Sequence, residues 1–424
     1  MGWSAYSQYN FHKFETQSTF NSIRVAVLGG GAAGFFAAIS CKHHHPDAEV
    51  VIYEKSSRLL AKVKVSGGGR CNVTHHCLQT SVLSKHYPRG ERFLKKAFAQ
   101  FSVPDTIEWF ESRGVKLKTE PDNRMFPISN DSQTIVDCLV REVEKLGVSV
   151  FTRSGIKSFQ ANGEGCELVV DGGSTAFYDK VVVCTGGSPK LSGFDWLEPL
   201  GHTIQPPVPS LFTFNMPNEP IRKLMGLSVE RVQVRIQGTK LQYAGSLLVT
   251  HWGMSGPAVL KLSAWGARYL NELNYQFNIQ VNWTGRMKEE ELRALLNEHM
   301  EENRKAKVLN RRVLGLPMRL WEFLLNKIEL REDIIWGEMG NKSINRLVNI
   351  LSNDVYSISG KTTFKEEFVT CGGVDLAEIN PKSMESKLIA GLYFAGEVLD
   401  IDGITGGFNF QSAWTTGYIA GNLT

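Results

Sequence analysis

The sequence has no long apolar run, no dense cysteine framework and no strong excess of charge of either sign. A membrane-spanning helix needs roughly 18 or more consecutive apolar residues, and no stretch approaches that length. The seven cysteines are odd in number and scattered, which argues against a disulfide scaffold and favours a reducing compartment. A net charge of +4 neither requires nor excludes a nucleic-acid partner. We therefore expect a cytoplasmic protein.

The first 22 residues also lack the pattern of a signal peptide, which needs a basic start, an apolar centre and a small-residue cleavage site. They are polar and aromatic, and we interpret residues 1–22 as an N-terminal extension. The 424 residues exceed the usual size of a single hydrophobic core, so two or three domains are expected. The 40 glycines indicate backbone that lies close to a ligand in several places.

The order of strand-like and helix-like segments predicts a discontinuous first domain with an insertion. The proline-rich QPPVPS at 205–210 reads as a linker, strand-like runs follow it, and a charged helical region begins near Glu289. The last 70 residues or so return to strand and glycine-rich turn character. The predicted division is 1–22 as an extension, 23–205 with 355–424 as the first domain, 206–288 as a β-rich insertion and 289–354 as a helical subdomain.

Local patterns predict several elements of the first domain. RVAVL and VVIY read as buried strands on either side of a helix that ends near Pro46, which is the length of a βαβ unit. Apolar spacing predicts helices over 91–111, broken at Pro104, and over 132–146. Residues 149–171 read as antiparallel strands, and KVVVC at 180–184 reads as another buried strand.

The run GGGAAG at 29–34 satisfies the pattern G-x-G-x-x-G in the context that makes it informative. It follows a strand, opens a helix, and has an acidic residue 20 positions after Gly34. Gly29 would make the tight turn, and Gly31 would let backbone approach a pyrophosphate. Glu54 would bind a ribose without a phosphate, which favours NAD or FAD over NADP. The residues predicted here to bind the cofactor are Gly29, Gly31, Ala33, Gly34, Glu54 and Lys55.

The end of the chain favours FAD. LYFAGEVLDID places Gly396 and Glu397 after a strand, where a carboxylate suits the hydroxyl groups of a ribityl chain. GITGGFNF then enters a helix whose N-terminus suits the negative charge of a reduced flavin. This segment adds Gly396, Glu397, Gly406, Gly407, Phe408 and Asn409 to the predicted cofactor site.

Taken together, these motifs resemble the BaiN-like, or aminoacetone-oxidase-like, family of bacterial NAD(P)/FAD-dependent oxidoreductases. The resemblance runs from about Ile23 to the C-terminus and includes KVSGGGRCNVT, RMFPIS, HWGMSGPAVL and VTCGGVDL. It implies an α/β fold with a two-dinucleotide-binding-type, Rossmann-like FAD domain, an inserted β-barrel-like domain and a small helical subdomain. The segment 187–201 is shorter here than is usual in the family.

The second glycine cluster, SGGGRCN at 66–72, lacks G-x-G-x-x-G spacing and no apolar helical run follows it. The family resemblance implies that this loop lies against the flavin ring, with cofactor contacts from Ser66, Gly67, Gly68, Gly69, Arg70 and Asn72. Cys71 is a candidate proton donor beside the flavin; the alternative is a small buried packing residue. A zinc site from Cys71, His75, His76 and Cys77 is disfavoured, because the spacing is unusual for zinc.

Two further sites leave alternatives open. Thr185 and Gly186 end a strand, either beside the FAD or in an ordinary turn, and His251 either reaches a cleft between domains or lies on the surface. No metal is expected.

The expected activity is hydride transfer between flavin N5 and a substrate held where the FAD and insertion domains meet. There is no second nucleotide fingerprint and no C-x-x-C pair, so a nicotinamide cofactor would reduce the flavin transiently. The substrate is either a small molecule or RNA, since residues 304–319 hold six basic and no acidic residues. Residues 283–346 as a whole are nearly balanced, with 13 basic and 11 acidic residues, which fits a solvated surface equally well. An amine oxidase that uses oxygen and a non-enzymatic flavin protein are the remaining alternatives.

Overall fold

The computed structural model describes residues 22–161, 165–363 and 369–424, which pack around two hydrophobic cores. The first core draws mainly on 25–204 and 374–420, and the second on 212–358. The α-helices are α1 Ala32–His44, α2 Ala61–Gly69, α3 Thr80–Leu83, α4 Glu91–Ala97, α5 Val103–Glu111, α6 Gln133–Lys145, α7 Pro257–Trp265, α8 Ala267–Glu272, α9 Glu289–Glu302, α10 Met318–Lys327, α11 Asn341–Ser352 and α12 Phe408–Asn422.

In the described part of the chain, the strands form five β-sheets. Their strands are β1 Arg24–Leu28, β2 Glu49–Glu54, β3 Thr74–His75, β4 Leu117–Thr119, β5 Arg124–Pro127, β6 Ser149–Thr152, β7 Ile156–Ala161, β8 Cys166–Val170, β9 Thr175–Tyr178, β10 Lys180–Val183, β11 Ile204–Ser210, β12 Thr213–Asn215, β13 Ser228–Ile236, β14 Gln242–Val249, β15 Gly253–Ser255, β16 Gln276–Asn282, β17 Asp354–Ser359, β18 Lys361–Thr362, β19 Val369–Val374 and β20 Leu392–Phe394. Among the described helices, none is both long and apolar enough to cross a bilayer.

The first core is built on a parallel sheet with the strand order β20-β10-β1-β2-β6. Its central strands β1 and β10 are apolar and fully buried on both faces, as a parallel sheet requires. Helix α12 lies directly on α1: a Cβ added to Gly417 would come within 2.5 Å of the Ala33 carbonyl oxygen. The last helix of the chain therefore packs against the first, beside the turn that follows β1.

The prediction for residues 149–171 was wrong for its first strand. Residues 149–152 form β6, which pairs in parallel with β2 at the edge of the main sheet. Only β7, β8 and β9 make the expected antiparallel sheet. A short apolar strand carries no signal that distinguishes a parallel from an antiparallel partner.

The break between α4 and α5 lies before Pro104. Helix α4 ends at Ala97, and Pro104 occupies the first turn of α5, where a missing N–H costs nothing. Ser102 and Asp105 form a capping box at this helix start. The proline thus marks a helix beginning, and the predicted position of the break was wrong by a few residues.

The proline-rich segment 205–210 is extended and belongs to β11, which pairs with β19 as a two-stranded antiparallel ribbon. Prolines are tolerated there because the outer edge of a two-stranded ribbon needs no N–H donor. The chain leaves the first core through β11 and returns to it through β19. The predicted linker is therefore one strand of the two-stranded ribbon that connects the two cores.

The second core is built on a seven-stranded antiparallel sheet with the strand order β17-β16-β13-β14-β15-β12-β18. Its two edge strands are consecutive in the chain and separated only by Gly360. The Gly360 carbonyl accepts a hydrogen bond from Asn215 N, and Gly360 N donates to the Tyr275 carbonyl, at 3.1 and 2.9 Å. The sheet thus curls until its edges meet, which confirms the barrel-like insertion.

The helical region packs into the same core as this sheet. Trp321 and Leu347 are fully buried in one cluster with Val232 and Val281. The boundaries of the predicted helical subdomain stay a prediction.

Candidate functional site

In the turn after β1, two of the glycines stand where the backbone leaves no room for a side chain. A Cβ on Gly29 would lie 2.3 Å from the Cys184 carbonyl oxygen, and one on Gly34 would lie 1.9 Å from the Gly29 carbonyl oxygen. Gly31 differs, because its φ is −97° and a Cβ there would meet no protein atom within 4 Å. The fold therefore requires glycine at positions 29 and 34, whereas Gly31 leaves space open at the start of α1.

Glu54 lies against this turn at the end of β2. Its carboxylate accepts hydrogen bonds from Gly30 N at 2.9 Å and from Ser56 N at 2.8 Å. The predicted ribose-binding carboxylate is thus fixed by backbone beside the glycine turn. Lys55 is exposed.

The loop 66–72 runs through left-handed backbone. Helical geometry stops at Ser66, and Gly67, Gly68 and Gly69 have φ of +58°, +68° and +83°. A Cβ on Gly68 or Gly69 would meet no protein atom within 4 Å. This bare backbone is suited to a flat ligand.

Arg70 and Asn72 have partners within the protein. Arg70 donates to Glu120 at 2.6 Å and lies over the Phe126 ring, with 4.0 Å to the centroid. The Asn72 oxygen accepts a hydrogen bond from Gly407 N at 2.9 Å in the amide orientation that satisfies both ends of the side chain. Asn72 therefore connects the loop 66–72 to the glycine-rich turn at 403–407, which we call the C-terminal turn.

The C-terminal turn is closed by Asn409. Its side chain accepts from Gly403 N at 2.8 Å and donates to the Gly403 carbonyl at 2.9 Å. Gly406 and Gly407 have φ of +130° and +93°, and helix α12 begins at the next residue, Phe408. The free backbone amides of this helix start lie beside the loop 66–72, as a site for a partly anionic ring requires.

The other predicted cofactor residues adjoin the same turns. A Cβ on Gly396 would lie 2.8 Å from Ala33 Cβ, and one on Gly187 would lie 3.0 Å from the Glu397 carboxyl carbon. Glu397 accepts from Thr370 N at 2.8 Å and pairs with Lys62 at 2.6 Å. Gly186, which follows Thr185, has φ of +76° and open space at its Cβ position. The predicted cofactor residues therefore surround one region, although they lie far apart in the sequence.

Cys71 lies inside the first core. Its side chain is fully buried, its φ is +58°, and burial raises the pKa of its thiol to about 12. The thiol therefore keeps its proton at neutral pH and has no thiolate character. Its predicted role as a proton donor stays a prediction.

If Cys71 is the proton donor, Cys71→Ala is expected to slow substrate turnover by about 10²–10⁴-fold, the usual contribution of a positioned acid. The flavin content should stay unchanged, because the loop backbone that approaches the ligand is kept. Turnover and the visible spectrum of the purified variant measure the two effects separately. Unchanged turnover would make Cys71 a packing residue.

A cluster of basic side chains beside the C-terminal turn was not predicted from the sequence. The rings of Phe408, His75 and His86 pack together as a triangle: the Phe408 centroid is 4.6 Å from His75 and 4.4 Å from His86, and the two histidines are 6.0 Å apart. A Cβ on Gly406 would lie 3.5 Å from the His75 ring. His75 had been considered only as a zinc ligand, and His86 carried no signal at all. Within the described residues, no group of three or more His, Cys, Asp or Glu side chains is arranged to hold a metal ion.

The charge of Lys261 influences both histidines of this cluster. It lies on α7, and its ammonium is 5.3 Å from the centre of the Tyr243 ring. Burial lowers the pKa of the Lys261 ammonium, and the carboxylate of Asp122 raises it in part. Helix α7 begins at Pro257, and the direction in which it presents Lys261 could not be predicted from the sequence.

The two histidines are neutral at pH 7 because of where they lie. Burial, together with the charges of His86 and Lys261, lowers the pKa of His75 to about 4. Burial and the charge of Lys261 also lower the pKa of His86. The cluster is thus one ammonium group beside two neutral imidazoles. His251, by contrast, is exposed and packs edge-on against Trp252, with 4.0 Å between centroids.

This arrangement, a parallel βαβ sheet with a glycine-lined cradle closed by the last helix, is that of an FAD-dependent oxidoreductase with a Rossmann-type domain. The chain belongs to the HI0933-like protein family, whose Rossmann-domain model matches residues 23–423. The resemblance seen in the motifs is confirmed.

Curated relatives span nearly the whole chain. The 3-dehydro-bile acid delta(4,6)-reductase of Clostridium scindens is 27% identical over 94% of this chain and 98% of that protein. The ribosomal RNA dihydrouridine synthase of Escherichia coli is 30% identical over 92% of this chain and 95% of that protein. Among solved structures, 3-ketosteroid delta1-dehydrogenase from Sterolibacterium denitrificans matches with a TM-score of 0.51 at 13% identity, over 95% of this chain and 99% of that one, which shows a shared fold.

Proposed function

We propose that this protein is a reductase that adds hydrogen across a carbon–carbon double bond conjugated to a carbonyl group, with NAD(P)H as the source of electrons. The substrate would lie where the two cores meet. The observation that carries this proposal is the open space at Gly31, Gly68 and Gly186, with the rings of Phe408, His75 and His86 at the start of α12.

The names of the two relatives support this class of reaction. A 3-dehydro-bile acid has a ketone at position 3, and double bonds at positions 4 and 6 are conjugated to it. Dihydrouridine is uridine without the ring double bond that is conjugated to a carbonyl. The two substrates differ greatly in size and charge, but their reactive groups are alike.

The residues of the cradle fit FAD. Open space at the Cβ positions of Gly31, Gly68 and Gly186 leaves room for a ligand close to backbone. Glu54 suits the adenosine ribose, and the start of α12 suits the pyrimidine edge of the flavin. Bound there, FAD supplies a hydride from N5. Phe408 with the imidazoles of His75 and His86 forms an aromatic wall.

The first experiment is to record the visible spectrum of the purified protein under anaerobic NADPH or NADH, followed by a candidate acceptor. We expect the flavin absorbance to bleach with one nicotinamide and to recover with a steroid or uridine-type conjugated carbonyl compound. The matched control is the saturated analogue of each acceptor. Bleaching by neither nicotinamide would contradict the proposal and favour an amine oxidase or a structural flavin.

RNA is the second candidate substrate, because basic side chains are exposed in the segment 305–312. Lys305, Lys307, Arg311 and Arg312 are all exposed, whereas Arg304 pairs with Glu301 at 3.1 Å. A polar pocket of about 490 Å³ lies at the outer surface of the seven-stranded sheet. It is lined by Gln233, Gln242, Ala244, Asn282, Arg286, Met287 and Lys288. Amides and cations without a carboxylate suit phosphates and base edges.

The RNA candidate is tested by adding ribosomal RNA fragments that lack dihydrouridine to the reduced protein. Recovery of the flavin absorbance, together with affinity that falls steeply with salt, supports an RNA substrate. Poly(C), which contains no uridine, is the matched control and should bind without reoxidising the flavin. If ribosomal RNA leaves the flavin reduced while small conjugated ketones oxidise it, the substrate is a small molecule.

A further inference from the structure

We infer that the outer face of strands β16, β13 and β14 is a docking site for single-stranded RNA, and that the pocket of about 490 Å³ on this face holds part of the strand. This inference deepens the RNA candidate of the proposed function, because it names a surface that binds the nucleic acid apart from the flavin cradle. None of the residues that line the pocket belongs to the cradle, and none of the family motifs falls on these three strands.

The first support is the alternation of residues along β16. In QFNIQVN at 276–282 every second residue is an amide, and two of the residues between them, Ile279 and Val281, are fully buried in the second core. Since successive side chains of a strand point to opposite sides, the four amides share the outer face. They are Gln276, Asn278, Gln280 and Asn282. The outside of this strand therefore offers hydrogen-bond donors and acceptors but no charge.

The pairing of the strands extends these amides across the sheet. Gln233 in β13 lies opposite Asn282 on one side and opposite Ala244 on the other, where the small side chain leaves a depression. The Asn282 oxygen accepts from Thr284 N at 2.9 Å, which leaves its amide hydrogens for a ligand. The next outward residue of β13, Arg235, also lies between two amides. These are Gln280 and Gln242.

The second support is a pair of cations that line the same pocket. The segment after β16 supplies Arg286 and Lys288, and both are exposed. Two acidic residues that follow them are occupied elsewhere. Glu289 pairs with Arg293 at 2.8 Å, and Glu291 accepts from the backbone N–H of Lys288 at 3.0 Å. Within the part of the chain that the structure describes, neither cation pairs with a carboxylate, and no Asp or Glu lines the pocket.

The combination of amides and cations favours RNA over other anionic ligands. Two cations alone would suit any polyanion, whereas a Gln amide carries both a donor and an acceptor and can bind the edge of a base. In a duplex the base edges are paired, and a single strand presents them together with its phosphates. Arg286 and Lys288 would bind phosphates, and Gln233 and Gln242 would bind base edges.

The test measures the binding of a short, fluorescein-labelled single-stranded RNA to the full-length protein with its flavin bound, by fluorescence anisotropy over a range of salt concentrations. The double variant Arg286→Gln with Lys288→Gln should reduce the slope of log affinity against log salt by about 1.4, because each contact to a single-strand phosphate contributes about 0.7. The matched control is Lys95→Gln with Lys96→Gln, at exposed positions of α4. It removes the same charge and should bind as the wild type does.

A second pair of variants tests the amides. Gln233→Met and Gln242→Met keep the length of the side chain and lose the amide, so each should weaken RNA binding by about 2- to 10-fold, the effect of one neutral hydrogen bond. The salt dependence should stay that of the wild type. Both variants should bind polyvinyl sulfate, a polyanion without bases, as the wild type does. An RNA duplex of the same sequence should bind more weakly than the single strand.

Three outcomes would overturn the inference: unchanged affinity and salt slope in the Arg286 and Lys288 double variant, an equal loss in the Lys95 and Lys96 control, or an equal loss of polyvinyl sulfate binding in the glutamine variants. RNA binding that depends on Arg286 and Lys288, with no reoxidation of the reduced flavin by RNA, would support the docking site. That result would contradict only the candidate in which RNA is the substrate.

Discussion

Gly31→Val is expected to yield a folded protein that purifies without FAD. The reason is the contrast within one turn: a side chain at position 31 meets no protein atom within 4 Å, and its φ of −97° is open to any residue. Valine would then fill the space that a pyrophosphate needs at the start of α1. The absorbance ratio at 450 and 280 nm measures the loss, and circular dichroism measures the fold.

Gly34→Ala is the matched control, because a Cβ there would lie 1.9 Å from the Gly29 carbonyl oxygen. That variant should lose stability, by roughly 1–3 kcal/mol or more for overpacking, whether or not FAD is present. Yellow Gly31→Val protein with a normal flavin content would show that the open space at Gly31 does not hold the pyrophosphate of the cofactor.

Much of the first core could be predicted because its signals are local. RVAVL, the glycine turn and VVIY fix a strand, a turn and a parallel strand within 30 residues. The C-terminal glycine turn could be placed beside the loop 66–72 only through the family resemblance. In the structure, hydrogen bonding by Asn72 brings the two segments together.

The ring cluster of His75, His86 and Phe408 could not be predicted, because its members come from three separate segments of the chain. No spacing rule relates a lysine on α7 to a histidine in β3. The parallel pairing of β6 and the pairing of the proline-rich β11 were not predicted, for a similar reason. Strand propensity is local, whereas the choice of partner depends on the rest of the fold.

The second large effect is expected from Arg89→Met, which should destabilise the protein by about 3–5 kcal/mol at neutral pH. Arg89 pairs with the fully buried carboxylate of Asp402, which also accepts from the Ser210 hydroxyl at 2.7 Å. The same guanidinium donates to the Ala264 carbonyl on α7 at 2.6 Å. Removing it leaves a buried carboxylate without its cation and loosens the contact that positions the helix of Lys261.

The loss should depend on pH in a defined direction. Burial raises the pKa of Asp402 from 3.8 to about 6 even though Arg89 lowers it, so the folded state favours the protonated carboxyl. In Arg89→Met that pKa rises further, and the cost of ionising Asp402 grows as the pH increases above about 4. Urea denaturation at pH 5 and pH 8 should therefore show the larger loss at pH 8.

Two matched variants separate this ion pair from a general effect of removing an arginine. Arg92→Met, at an exposed position on α4, should leave the urea midpoint unchanged at both pH values. The double variant Arg89→Met with Asp402→Asn should recover much of the lost stability at pH 8, because the buried charge is gone and Ser210 can still donate to the amide oxygen. Equal losses at pH 5 and pH 8 would mean that Arg89 stabilises the protein through packing and its bond to Ala264 rather than through the charge of Asp402.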